Sequence, residues 1–177
     1  GTGKRLFLKF FSTQSAKRAN HVITISNFSK ERFCRALNLT AEKSTVTLLS
    51  ANKENNSDAS FKANELLTKY GIKEPYIVAF GGGAIHKNIP RLIQAFDSLK
   101  DSLPHNLVLI GHLPSNVDML AISNDYVLNS RLITTGYVPH NHIDLLLSHA
   151  DLFVLPSLYE GFGIPLLEAQ KVGVAVA

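Results

Sequence analysis

Two carboxylates, Glu160 and Glu168, bracket a glycine turn in the run Tyr159-Glu160-Gly161-Phe162-Gly163-Ile164-Pro165-Leu166-Leu167-Glu168-Ala169-Gln170. Pro165 suits the first turn of a helix over residues 166–171, because the N–H it lacks is one that a helix start leaves unpaired anyway. Phe162, Gly163 and Ile164 then present backbone N–H groups at the positive end of that helix, a receptor for an anion. An acid near a helix start also complements the dipole, at about 0.3–1 kcal/mol, which accounts for Glu168 taken alone. It does not account for Glu160, Gly161 and Gly163 together.

A second stretch, Gly81-Gly82-Gly83-Ala84-Ile85-His86-Lys87-Asn88, follows an apolar run and precedes a helical pattern opening Ile89-Pro90-Arg91. Consecutive glycines reach backbone conformations closed to other residues and leave room for a ligand against the main chain. Asn88 is placed to cap the helix, Pro90 suits its first turn, and Lys87 stands beside its N-terminus. The dinucleotide fingerprint G-x-G-x-x-G fails, since Gly81 and Gly83 fit but His86 holds the third glycine position; no Walker G-K-[ST] occurs. By itself the loop reads equally as a phosphate cradle and as a tight turn without ligand. Two acids and a lysine-bearing loop on neighbouring crossovers together indicate a phosphorylated ligand that also carries hydroxyls. Charged acceptors bond such hydroxyls at about 1.5–3 kcal/mol.

Other candidates carry less. His140, His142 and His149 invite a metal reading, but no acidic partner is evident in the sequence and no metal is expected. Gly111-His112 and Gly136-Tyr137-Val138-Pro139 each follow an apolar run, and each reads either as a ligand-facing loop or as a plain turn. Cys34, in a helical stretch over 28–37, has no apparent base partner and reads as packing.

The elements that must position these groups alternate. Short β-branched runs fall at 22–26, 45–49, 76–80, 107–110, 131–134, 151–155 and 173–177. Between most of them lie helical spacings, as in Ile89, Leu92, Ile93, Phe96 and Leu99, or Ile143, Leu146, Leu147 and Ala150. Strands apolar on both faces alternating with amphipathic helices predict a doubly wound α/β fold, a Rossmann-like parallel sheet covered by helices. In such sheets ligands bind beyond the carboxyl ends of the strands, where the glycine-rich stretches lie. One composition break interrupts the pattern: residues 50–60, Ser-Ala-Asn-Lys-Glu-Asn-Asn-Ser-Asp-Ala-Ser, lack any long apolar side chain and read as a linker.

The 45% hydrophobic content is that of a globular chain, and no apolar run approaches the roughly 20 residues of a membrane span. One cysteine, one methionine and no tryptophan fit a reducing compartment. The net charge of +4 is uneven, with nine Lys/Arg against two Glu in residues 1–50. The opening Lys4-Arg5-Leu6-Phe7-Leu8-Lys9-Phe10-Phe11 is compatible with an anionic membrane surface, but reads first as a solvated helix with Leu6, Phe7, Phe10 and Phe11 buried. No nucleic-acid motif accompanies it, and no nucleic-acid partner is expected.

With these residues in view, the chain resembles glycosyltransferase family 4, retaining enzymes of the GT-B fold. The stretch Pro156-Ser157-Leu158-Tyr159-Glu160 through Glu168-Ala169 is similar to that family's E-x7-E signature, and Lys87-Asn88-Ile89-Pro90-Arg91-Leu92-Ile93 to its Lys-Asn loop. Thr135-Gly136-Tyr137-Val138-Pro139 resembles the run-up to the Glu motif. Arg18 through Lys30 resembles the end of the family's N-terminal domain. The resemblance implies an acceptor-domain tail over residues 1–50, a linker over 51–60, and a truncated nucleotide-sugar-binding domain over 61–177, in a chain that reads as a piece of a longer protein at both ends. It implies that Lys87 binds the donor diphosphate with Gly82 and Gly83 in the loop beside it, that Glu160 lies near the transferred sugar, and that Glu168 bonds the nucleotide ribose. Backbone groups of Phe162, Gly163 and Ile164 would contact phosphates or sugar, and the Tyr137–Val138 loop the base. Glu160 and Lys87 would be the catalytic pair, acting without metal or other cofactor.

The wording of the Glu motif is most like that of bacterial polysaccharide and O-antigen mannosyltransferases, which implies GDP-mannose ahead of a UDP-hexose. A glycan or lipid-linked acceptor is implied, with a cytoplasmic location, at the inner face of the membrane if the basic segment binds there. The chain departs from the family in lacking a basic residue from Gly81 to Ala84 and in carrying His86 where an Arg is common before the Lys. Rival readings are a nucleotide-sugar-binding module without transfer activity, and a GT-B-fold epimerase acting on a UDP-sugar, against which the E-x7-E spacing counts.

Overall fold

The structure, a computed structural model, describes residues 2–51, 63–99, 101–113 and 131–177. The linker expected at 51–60 lies outside them from residue 52 onward. The chain divides into two compact units, Gly1–Ser50 with Glu160–Gly163, and Ala51–Tyr159 with Ile164–Ala177.

The first unit contains helix α1 (Thr2–Arg18), strand β1 (Val22–Thr24), helix α2 (Asn27–Leu37) and strand β2 (Ser44–Val46). β1 and β2 are parallel, with Val22 opposite Ser44, and α2 forms the crossover between them. Ser26 is extended and its hydroxyl accepts the Ser29 N–H at 3.0 Å, capping α2. Asn38, in the left-handed conformation, ends the helix by donating its N–H to the Cys34 carbonyl. Leu6, Phe7, Phe10 and Phe11 are not buried as the first reading of the opening segment expects; all are more than half exposed. Consecutive residues of a helix point about 100° apart, so an almost unbroken run from Leu6 to Phe11 spreads apolar side chains around much of α1. The neighbouring α2 covers only part of that arc.

The second unit is built on five parallel strands: β3 (Tyr76–Phe80), β4 (Asn106–Ile110), β5 (Leu132–Thr134), β6 (Leu152–Phe153) and β7 (Ala175–Val176), in the spatial order β5-β4-β3-β6-β7. β3 and β4 pair over their full length, Tyr76 opposite Asn106 and Phe80 opposite Ile110. The helices are α3 (Ala63–Lys69), α4 (Ile89–Leu99), α5 (His140–Ser148) and α6 (Ile164–Lys171). Side chains alternate across the sheet as the strand period requires. Tyr76, Val78, Val108, Ile110 and Phe153 form one core with Leu66, Leu146, Leu147 and Ala169 from α3, α5 and α6. Ala79, Leu107 and Leu109 face the other way, onto Ile89, Ile93 and Phe96 of α4. This two-sided burial is why β3 and β4 carry apolar side chains on both faces.

Tyr76 spans the first of these cores. It is fully buried, its hydroxyl donates to the Leu146 carbonyl at 2.6 Å, and burial, with Glu74 and Asp151 adding to it, pushes its pKa well up. The bond satisfies a last-turn carbonyl of α5 that has no intrahelical partner. Tyr76→Phe should therefore leave a buried acceptor unpaired, costing about 1–3 kcal/mol and lowering the midpoint of thermal unfolding by several degrees, with the far-ultraviolet spectrum unchanged.

Candidate functional site

The strand order reverses between β3 and β6. The chain steps outward from β3 to β4 and β5 on one side, and from β6 to β7 on the other. Connections leaving the carboxyl ends of β3 and β6 must diverge there, opening the crevice that doubly wound sheets use for ligands. They are also tied to one another. Asn88 Nδ2 donates to the Pro156 carbonyl at 3.1 Å, the Leu158 N–H donates to the His86 carbonyl at 2.8 Å, and the His86 ring stacks on Tyr159 with centroids 5.0 Å apart.

After β3, the Gly81 N–H continues the ladder to the Ile110 carbonyl, and a single 3-10 turn, Ile85–Lys87, brings the lysine back over the glycines. Lys87 Nζ donates to the Gly81 carbonyl at 2.8 Å. An ammonium has three donors, so one anchors it and the others remain for an anion. Glycine is needed at two of the three positions for separate reasons. A Cβ on Gly81 would lie 2.9 Å from the His112 carbonyl oxygen, and Gly82 has φ +134° with Lys87 Nζ 3.1 Å from where its Cβ would be. Beside this turn lies a pocket of about 160 Å³, lined by Gly83, Ala84, Asn88, Ile89, Pro90 and Leu158. It is below the roughly 300 Å³ at which small-molecule pockets begin, and would admit a part of a nucleotide sugar rather than the whole.

The next two strand ends join the same array. Gly111, after β4, forms a bridge with Gly136, after β5, and the Gly111 N–H donates to Thr135 Oγ1 at 3.2 Å. Gly136 has φ +66° and is followed by Tyr137, 78% exposed, and Val138, 6% exposed. The two residues expected to act together on a base thus divide. Tyr137 offers its ring to solvent, whereas the Val138 side chain packs in the core with Leu146, leaving only its main chain for a ligand.

At the other end of the motif, Gly163 takes φ +88° and the chain enters α6 at Ile164-Pro165. Glu168 is in the second turn, and its carboxyl is held above the usual range chiefly by burial. Asp144 adds to the rise, while His140 and Lys171 oppose it. Glu168 also stands beyond the first turn, where a helix dipole acts most strongly. Glu160 and Gly161 belong to the first unit, where the Gly161 carbonyl accepts hydroxyl bonds from Ser26 and, at 3.1 Å, from Ser29.

Sequence reasoning erred at Asn88. It is left-handed, φ +56°, and its carbonyl accepts the first N–H groups of α4, but its side chain reaches across to Pro156 instead of capping the helix. The histidines are dispersed: the buried His142 bonds Tyr70 through Nδ1 at 2.9 Å, and His149 pairs with Glu74 at 3.2 Å, an acidic partner the sequence had not revealed. Among the described residues no three His, Cys, Asp or Glu side chains are grouped as a cation would require. Ser26 and Ser29 were missed altogether, being 135 and 132 residues from Gly161.

Two outcomes follow for stability. Gly81→Ala presses a methyl against main chain that cannot swing aside and should cost about 1–3 kcal/mol, read as a lowered unfolding midpoint. Glu168 has a folded pKa above its ordinary 4.5, so between the two values the folded state holds more protons, and stability falls as pH rises through that window. Glu168→Gln removes the penalty: it should equal or exceed the parent in stability at neutral pH and converge with it below the carboxylate range, as measured by denaturation across pH.

Known proteins resemble this chain in sequence and in fold. Residues 63–177 match the family described as Glycosyl transferases group 1. The chain is 31% identical over 168 residues to the O-antigen chain mannosyltransferase RfbU of Salmonella typhimurium, covering 94% of this chain and 44% of that protein. It is 30% identical over 167 residues to the O-antigen chain mannosyltransferase B of Escherichia coli, covering 92% and 44%. The chain thus spans less than half the length of these relatives. Anabaena HepE, solved in complex with UDP-glucose, superposes with a TM-score of 0.76 at 20% identity, over 95% of this chain and 47% of that one. At that identity the likeness shows the fold alone, a Rossmann-like sheet of the GT-B glycosyltransferases. The chain belongs to the group 1 glycosyltransferases.

Proposed function

We propose that the protein transfers a hexose from a nucleotide sugar, GDP-mannose first among the donors, to a glycan or lipid-linked acceptor with retention at the anomeric carbon. The observation that carries this reading is the anchored Lys87 in a glycine loop at the sheet's switch point, a cationic group ordered before any ligand arrives. Ordering the ammonium in advance lowers the entropy lost on binding. The names of the O-antigen mannosyltransferase relatives support mannose over other hexoses.

In this reading Lys87 and the main chain of Gly82 and Gly83 receive the diphosphate, with N–H groups of Phe162, Gly163 and Ile164. Glu168 accepts the ribose hydroxyls, which return to its half-buried carboxylate the hydrogen bonds that burial removes. Tyr137 and the Val138 main chain meet the base, and Glu160 acts at the transferred sugar. The acceptor hydroxyl oxygen bonds the anomeric carbon on the face the diphosphate leaves. The carbon–oxygen bond to the β-phosphate breaks with its electron pair on the phosphate, and the acceptor proton passes to that phosphate. Lys87 and the helix N–H groups offset the charge of the departing diphosphate, so no metal is required.

Among the described residues no helix is long and apolar enough to cross a membrane. The exposed Leu6, Phe7, Phe10 and Phe11, with Lys4 and Lys9 on the same helix, support peripheral attachment to an anionic cytoplasmic membrane face, where a lipid-linked acceptor would be met.

Calorimetric titration with GDP-mannose, GDP, UDP-glucose and UDP tests the donor reading. One nucleotide class should bind, and Lys87→Ala should weaken it by roughly one to two orders of magnitude, the range for a charge-assisted bond. Binding of neither class by the folded protein, or equal binding by parent and variant, refutes it.

A further inference from the structure

Within the first unit, the α2 N-terminus does more than begin a helix. Ser26 Oγ accepts the Ser29 N–H at 3.0 Å, which completes the cap, and its hydroxyl is within donating reach of the Gly161 carbonyl and, at 3.1 Å, of Ser29 Oγ. Ser29 Oγ donates to the same carbonyl at 3.1 Å. A carbonyl oxygen has two lone pairs, and the hydroxyls of the cap residue and of the first turn of one helix are placed to fill both. Ile25 and Ser29 also stand at ordinary contact distance from where a Gly161 Cβ would lie, so the backbone there rests against the capping segment. Gly161 directly follows Glu160, and neither a cap nor a βαβ crossover needs these bonds to a residue more than 130 positions away.

We infer that Ser26 and Ser29 are positioning residues: their hydroxyls clamp the Gly161 carbonyl and thereby fix the orientation of Glu160 toward the sugar of the donor. The inference rests on the donor reading above and adds to it residues that select for the sugar part of the donor rather than for the nucleotide. Fixing the peptide after Glu160 removes backbone freedom that a free glycine loop would have to lose on binding. The clamp therefore favours a ligand that reaches Glu160 and is indifferent to one that ends at the diphosphate.

Ser26→Asp separates the clamp from the cap. Aspartate caps a helix as well as serine does, but its carboxylate cannot donate to a carbonyl and repels it. Ser29→Ala removes the second donor and leaves the cap intact, and Ser26→Thr retains both hydroxyl functions. Each variant is compared with the parent by amide hydrogen exchange at Glu160–Gly163 and by titration with GDP-mannose and GDP, and with UDP-glucose and UDP. In Ser26→Asp and Ser29→Ala the loop amides should exchange about tenfold faster. The sugar nucleotide should bind about fivefold more weakly while its nucleotide diphosphate changes less than twofold, and Ser26→Thr should match the parent. Unchanged loop exchange in Ser26→Asp overturns the clamp, and equal weakening of nucleotide and sugar nucleotide overturns the selection for sugar. A parent that binds no nucleotide overturns the donor reading and the positioning role with it, while the exchange data still report on the clamp.

Discussion

The constraint on which the second unit depends is the reversal of strand order between β3 and β6. Parallel strands need crossovers, and crossovers on both sides of one strand pair force two connections apart at the same end of the sheet. Everything with chemical potential in this unit is an answer to that geometry. The glycines let one connection turn within a few residues, Lys87 folds back to hold it, and Asn88 and Leu158 bridge the gap that the reversal opens. The side-chain pairs His149–Glu74 and His105–Asp151 sit at the amino ends of the strands, at the opposite end of the sheet.

The polar groups at the carboxyl ends carry a cost that the core offsets. Packing on both faces of β3 and β4 leaves Val78, Ala79, Leu107 and Leu109 fully buried, and that burial is the reserve against which a half-buried Glu168 is tolerated. The same packing shapes the loop after β5. With Val138 drawn into the core, the loop after β5 presents the Tyr137 ring and main chain rather than an apolar slot.

Much of this was legible in the sequence because it is periodic or local. All seven β-branched runs overlap observed strands, and Ile89, Ile93 and Phe96 form the buried stripe of α4 that their spacing predicts. Lys87 stands beside the glycine run and before the proline-containing helix start, as residue types alone place it. What escaped is non-local or depends on a side chain choosing between two partners. Asn88 could cap or bridge, and only the position of Pro156 decides; nothing near Ser26 in sequence announces Gly161. The α1 aromatics failed for another reason: composition says that they are apolar, but burial depends on what surrounds the helix.

The close approach of Gly81 to the His112 carbonyl, and the bridge from Gly111 to Gly136, join three strand ends into one mechanical piece. A designer seeking to reshape this end of the sheet would ordinarily graft a single loop from a related fold. Here the loop carrying Tyr137 shares its footing with the one that Lys87 folds over, so a graft at either would tilt the other. Redesign of this end of the sheet calls for exchanging the three connections as a set.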